Sequence, residues 1–118
     1  MKRGILRTGE GGRICFRCPG CDEIHGIQVG EGPGPRWGFN GDYDRPTFEP
    51  SILTRFTRRL TEDEIDRIMA GERLDIPQTV CHSFIADGQI QFLGDCTHAL
   101  AGQTVPLPDF DAPRGDAP

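Results

Sequence analysis

The side chains in this chain most able to do chemistry are its cysteines, five in number, and its three histidines. Cys18 and Cys21 flank Pro19-Gly20 in a C-x2-C knuckle, and His25 follows shortly after. Cys81, His82, Cys96 and His98 fall together in CHSFIADGQIQFLGDCTH. Thiolate sulfur and imidazole nitrogen are the donors of tetrahedral zinc, and a closed structural site takes four of them. Pro19 and Gly20 suit the tight turn that lets two thiolates reach one ion. The spacing therefore predicts that the two distant segments meet at one Zn2+. The candidate ligands are Cys18, Cys21, Cys81, Cys96, His98, His25 and His82. The leading arrangement joins Cys18 and Cys21 to Cys81 and Cys96; a second puts His98 in place of Cys81.

Strand periodicity decides which of these can face one another. Arg13–Cys18 alternates, with Ile14, Phe16 and Cys18 on one face and Cys15 and Arg17 on the other. Cys15 is thus a packed or free thiol. A second short strand is expected over 23–29. Residues 78–86 and 89–94 form a hairpin around Asp87-Gly88, a type I′ turn signal. That turn sets Ile85 opposite Ile90, Ser83 opposite Phe92 and Cys81 opposite Gly94. Cys81 and Cys96 then share the open end of the hairpin, and His82 projects from the other face.

Residues 30–36 (GEGPGPR) are loop, 37–40 a short strand, and Asn40-Gly41 a turn. Pro46 and Pro50 confine the next stretch to an extended or edge path, and 51–56 is a strand. Thr61 and Glu64 form a capping box, with Leu60 and Ile65 as a hydrophobic staple. The helix they open carries an apolar stripe of Ile65, Ile68 and Met69 and ends at Gly71, which predicts a short surface helix laid over the sheet. The expected fold is mainly β: a small zinc-stabilised sheet of about six strands with a zinc-ribbon-like knuckle and one short α-helix. Residues 1–12 are expected to be a loose segment, 13–110 a single zinc-binding domain, and 111–118 a disordered tail.

Bulk composition fits that frame. Hydrophobic residues are 36% of the 118, with 16 glycines and 10 prolines, so the core is small and a metal cross-link is a natural support. The net charge of −5 disfavours non-specific phosphate-backbone binding, and Arg55, Arg58 and Arg59 suit a solvated strand end. No apolar run approaches the roughly 20 residues that span a bilayer, and the N-terminal stretch has no signal-peptide core. A cytoplasmic location with reduced thiols and no membrane contact is the expectation, and the odd cysteine count agrees.

Catalytic signatures are sparse. Were His25, His82 and His98 to converge, with Asp95 behind them, they would make an open three-histidine zinc site able to generate a hydroxide. The opposite facing of His82 argues against it. Ser51 and Ser83 carry no nucleophile signature, and no phosphate-cradling GxxxxGK[ST] is present. Trp37, Phe39, Tyr43 and Phe48, near Arg36 and Arg45, suit the core and rim of a sheet better than a ligand patch.

Three blocks taken together resemble a family of short proteins of unknown function found in tailed-phage genomes and prophages. They are Cys18-Pro-Gly-Cys21 with His25-Gly26, the run Arg45-Pro-Thr-Phe-Glu-Pro-Ser-Ile-Leu53, and Cys81-His-Ser-Phe running into Asp95-Cys-Thr-His-Ala-Leu-Ala-Gly-Gln-Thr-Val-Pro-Leu-Pro108. Asp22 departs from the glycine often found after the second cysteine, and the helix near 61–71 lies where family members vary in length. The resemblance implies a phage origin, a bacterial host cell and a zinc-binding domain. Some members are labelled ammonia monooxygenase, which neither a membrane span nor a copper-site pattern supports here. The first functional expectation is a zinc-stabilised interaction module whose protein partner is a host defence protein or a virion component. The second is a small metal-dependent hydrolase built on the three histidines. The third is a zinc-ribbon nucleic-acid binder, which the acidic charge disfavours.

Overall fold

The computed structural model describes residues 1–112. The described residues are mainly β, two antiparallel sheets and one α-helix, as the alternating patterns predict. The first sheet runs in chain order through β1 (Lys2–Arg3), β2 (Leu6–Thr8), β3 (Arg13–Cys18) and β4 (Glu23–Gln28). The second does the same through β5 (Gly38–Phe39), β6 (Phe48–Thr57), β7 (Gln78–Ala86), β8 (Gln89–Phe92) and β9 (Thr104–Pro106). The nine strands of the described residues exceed the six expected because β1, β2 and β9 are only two or three residues long, too short for periodicity to register.

Residues 1–12 are not loose. β1 and β2 pair as a hairpin, and β2 adds to β3. Leu6, fully buried, is the anchor that a glycine-rich composition conceals. At the other end, Asp111 and Ala112 close a turn on Asp109, while the rest of the tail expected over 111–118 lies outside the described residues.

The core comes from the inward faces of both sheets: Ile14, Phe16, Cys18 and Ile27 from one, Phe48, Ile52, Cys81, Ile85, Ile90 and Phe92 from the other. Trp37, Phe39 and Tyr43 pack around its rim, Phe39 lying between Phe48 and Tyr43 at 5.1 Å from each. The β7–β8 hairpin turns at Asp87 and Gly88, both with positive φ (52° and 76°), and sets Ile85 opposite Ile90 and Ser83 opposite Phe92.

The helix α1 (Glu62–Met69) opens on the expected capping box, with the Glu64 N–H donating to Thr61 Oγ1 and the Thr61 N–H donating to Glu64 Oε1. It buries none of its residues, and Ile65, Ile68 and Met69 are 45%, 41% and 82% exposed. The apolar stripe expected to lie on the sheet faces outward instead. Local capping sets the helix, while residues 72–77 carry no regular structure and return the chain to β7.

Candidate functional site: a cysteine–histidine cluster backed by a serine–histidine–aspartate chain

Adjacent residues on a strand point to opposite faces. On β7 this separates Cys81 from His82, and each anchors a different constellation.

On the buried side, the knuckle brings Cys18 at the end of β3 against Cys81, Sγ to Sγ 3.7 Å. The Asp22 N–H closes the knuckle on the Cys18 carbonyl at 2.9 Å. A tetrahedral ion with Zn–S of about 2.3 Å has an S···S edge of about 3.8 Å, so the spacing suits a shared metal. His25 on β4 opposes Phe16, and its ring is wedged edge-on between Phe16 and Phe56 at 5.6 and 5.9 Å. Its Nε2 is buried with no hydrogen-bond partner. The donor atoms of Cys18, Cys21, His25 and Cys81 all lie within 4.8 Å of one another.

A second group, Cys81, Cys96 and His98, shares Cys81 with the first. His98 Nδ1 accepts from the Leu100 N–H at 3.2 Å, and its ring stands edge-on to Phe92 at 4.5 Å. Its Nε2 too is buried and unpartnered. Gly20 is required beneath this ring, because a Cβ there would fall 2.3 Å from the His98 Cε1.

The thiols do not behave alike. Hydrogen bonds from Cys21 and then Cys81 hold the Cys18 thiol well below the ordinary thiol range. Cys21, as the partner of that thiolate, is pushed up to about 12, and Cys81 is raised by Cys18, then Cys21, then burial. The thiols of Cys18, Cys21 and Cys81 thus oppose one another's ionisation. Burial lowers the His98 imidazole, and because its Nδ1 accepts from Leu100 the neutral ring carries its proton on Nε2. A divalent cation resolves both the mutual thiolate repulsion and the orphaned His25 nitrogen. The cluster is thus able to hold a metal ion.

On the other face of β7, His82 makes two side-chain hydrogen bonds. Its Nδ1 lies 3.0 Å from Asp95 Oδ2, and its Nε2 lies 3.0 Å from Ser51 Oγ. A carboxylate only accepts, so Nδ1 carries the proton and Nε2 accepts from the Ser51 hydroxyl. This is the nucleophile–base–orienter order of acyl-transfer enzymes.

Each member has a local cause. Ser51 sits in an irregular stretch of β6, where four steps from Phe48 to Ile52 are matched by two from Ile85 to Ser83 on β7. Such bulges re-aim side chains. Trp37 Nε1 holds the Ser51 carbonyl at 3.2 Å. Asp95 lies in the turn after β8, fixed by the Cys96 N–H to Leu93 O bond and the Thr97 N–H to Val80 O bond.

The three histidines therefore do not converge. Among the described residues, His25 belongs to the first cluster, His98 to the second, and His82 to neither. Asp95 orients His82, and Ser51 is the residue that sequence reasoning passed over. Strand alternation puts Ser51 and Leu53 on one face, but the pairing of Leu53 with His82 that brings Ser51 into reach is seen only in the fold. Of the basic residues near β6, Arg58 pairs with Glu64 and Arg59 with Glu23. No helix among the described residues is long and apolar enough to cross a membrane.

A family model described as bacterial ubiquitination-like system serine protease (BubE) matches residues 1–93 of the chain. The match covers Cys18, Cys21, His25, Ser51, Cys81 and His82 and stops short of Asp95, Cys96 and His98. No curated protein and no solved structure matches. The chain belongs to the BubE family.

Proposed function

From that membership and the hydrogen-bonded chain Ser51–His82–Asp95, we propose that this protein is a serine hydrolase of a bacterial ubiquitination-like system. It cleaves the peptide or isopeptide bond that follows the C-terminal residue of a ubiquitin-like protein. The observation that carries this reading is His82, bonded at 3.0 Å to Ser51 on one nitrogen and at 3.0 Å to Asp95 on the other.

The chemistry follows from those atoms. Ser51 Oγ attacks the scissile carbonyl carbon while its proton passes to His82 Nε2, and Asp95 stabilises the imidazolium through Nδ1–H. Collapse breaks the C–N bond, and His82 returns the proton to the departing amine. Water then attacks the Ser51 ester, with His82 as base, releasing the acyl group as a carboxylic acid and restoring the hydroxyl.

The metal of the buried cluster is Zn2+ in this reading, held by Cys18, Cys21, Cys81 and His25. Three thiolates and one imidazole form a closed donor set of the structural kind. Zinc there ties the knuckle between β3 and β4 to β7, and so holds the strand that carries His82. The protein partner is the ubiquitin-like substrate.

The test is hydrolysis of N-acetylglycine p-nitrophenyl ester together with labelling by a fluorophosphonate probe. Ser51→Ala is expected to remove labelling and to lower kcat by about 10^3 or more, with zinc content and thermal unfolding unchanged. Wild-type hydrolysis and labelling in the folded Ser51→Ala variant would sink the reading.

A further inference from the structure

Resting on that reading, we infer that the acyl segment of the substrate binds as an added β-strand along the free edge of β6, which delivers its terminal carbonyl to Ser51.

β6 has β7 on one side and β5 on the other, but β5 covers only Phe48 and Glu49. Beyond Ser51 that edge has no strand partner among the described residues. The direction of its backbone groups follows from β7. The His82 N–H donates to Cys96 Sγ at 3.2 Å, and its carbonyl accepts from the Leu93 N–H at 2.9 Å. The Val80 N–H and carbonyl are taken by Thr97 in the same way. Both residues therefore spend their backbone groups on the side away from β6.

In an antiparallel ladder, opposed residues are either both bonded to each other or both turned outward. Leu53 opposes His82 and Arg55 opposes Val80, so the N–H and C=O of Leu53 and Arg55 point to the open edge. The Ser51 carbonyl points there as well, since Trp37 Nε1 reaches it from that side. Across from this edge, β4 has β3 as its strand partner along Glu23–Gln28 among the described residues, and the Val29–Trp37 bridge follows. The two edges flank a cleft of about 170 Å3 lined by Glu23, Ile24, His25, Thr54 and Phe56.

Alternating unpaired N–H and C=O groups recognise an extended main chain, whatever its side chains. The row ends at the nucleophile, because β5 and Trp37 occupy the continuation. Leu53 lies beside it at 49% exposure, on the face that carries Ser51. The ligand class is therefore an extended polypeptide tail on the acyl side of the bond. The acyl side is also the part common to every conjugate of one ubiquitin-like protein, whereas the amine differs with each target.

The test compares the short probe, N-acetylglycine p-nitrophenyl ester, with N-acetyl-tetraalanylglycine p-nitrophenyl ester on the wild-type protein. It then uses the long ester N-methylated at one amide at a time. Lengthening is expected to raise kcat/KM by about tenfold. Each N-methyl group at every second amide should cost about three- to tenfold, with little effect at those between. A kcat/KM independent of length, or N-methyl effects without the alternation, overturns the added strand while Ser51-dependent hydrolysis of the short ester stands. Hydrolysis of the short ester that persists in Ser51→Ala overturns both this inference and the reading it rests on.

Discussion

Cys96 grips the backbone of His82: its Sγ lies 3.2 Å from both the His82 N–H nitrogen and the His82 carbonyl oxygen. The cluster and the acyl-transfer chain thus touch through main-chain atoms. Cys96→Ala removes that grip and leaves a part-buried N–H without its acceptor, at a cost of about 1–3 kcal/mol in stability. Because the effect on catalysis runs through His82, kcat should fall while KM holds. Cys96→Ser, which retains donor and acceptor, should recover most of kcat. Equal KM and kcat effects in both variants would count against the grip.

Asp95 fixes the His82 tautomer. Asp95→Asn presents an amide whose N–H2 can face Nδ1 and turn the ring's proton toward Ser51. The expected loss in kcat is about 10^3–10^4, with KM and thermal unfolding nearly unchanged. A loss of only twofold in steady-state hydrolysis would assign Asp95 to the surface.

The knuckle and His98 are packed without slack. In Gly20→Ala the new methyl must displace the His98 ring, since its Cβ would lie 2.3 Å from Cε1. Expected outcomes are weaker metal retention in a chelator competition and a lower unfolding temperature. Cys18→Ser and Cys81→Ser should each lose the metal, and with it cooperative unfolding. Elemental analysis of wild type should give one zinc per chain; a metal-free, fully folded protein would remove the zinc assignment.

The capping box has its own pH signature. Arg58, and then the Thr61 N–H, hold Glu64 at about 2, below its ordinary 4.5. A depressed carboxylate stabilises fully above its unfolded pKa and loses that contribution as pH falls through its folded pKa. The unfolding-temperature gap between wild type and Glu64→Gln should therefore be constant well above pH 4.5, shrink progressively as pH falls below 4.5, and be nearly gone near pH 2. Separately, Thr61→Ala is expected to cost about 0.5–2 kcal/mol without changing ester hydrolysis. A gap already gone at pH 4.5 would mean that the Arg58 contact is not formed in solution.

Local chemistry made much of this fold legible. Asp87-Gly88 dictated the hairpin and its pairing, Thr61 and Glu64 dictated the helix start, and alternation put Cys81 and His82 on opposite faces. These depend on a few neighbouring residues. Ser51 was not legible because its role depends on two non-local facts: that β6 lies beside β7, and that the chain bulges between Phe48 and Ile52. The outward stripe of α1 was missed for a related reason, since amphipathicity shows which side of a helix is apolar but not what covers it. His25 was held in reserve as a ligand, although its opposition to Phe16 turns it inward beside Cys18.

The alternation at Cys81 and His82 has a consequence for how the chain finds its native state. A slip of β7 by one residue against β6 would carry every side chain to the opposite face, placing an imidazole among the thiols and a thiol beside Ser51. On the catalytic face little forbids it: Leu53, Phe84 and Arg55 are exposed and indifferent to what they face. On the buried face the slip removes Cys81 from Cys18 and forfeits the metal. Coordination thereby acts as a proofreader of strand alignment, rejecting the misaligned chain before a catalytic site can be assembled from it.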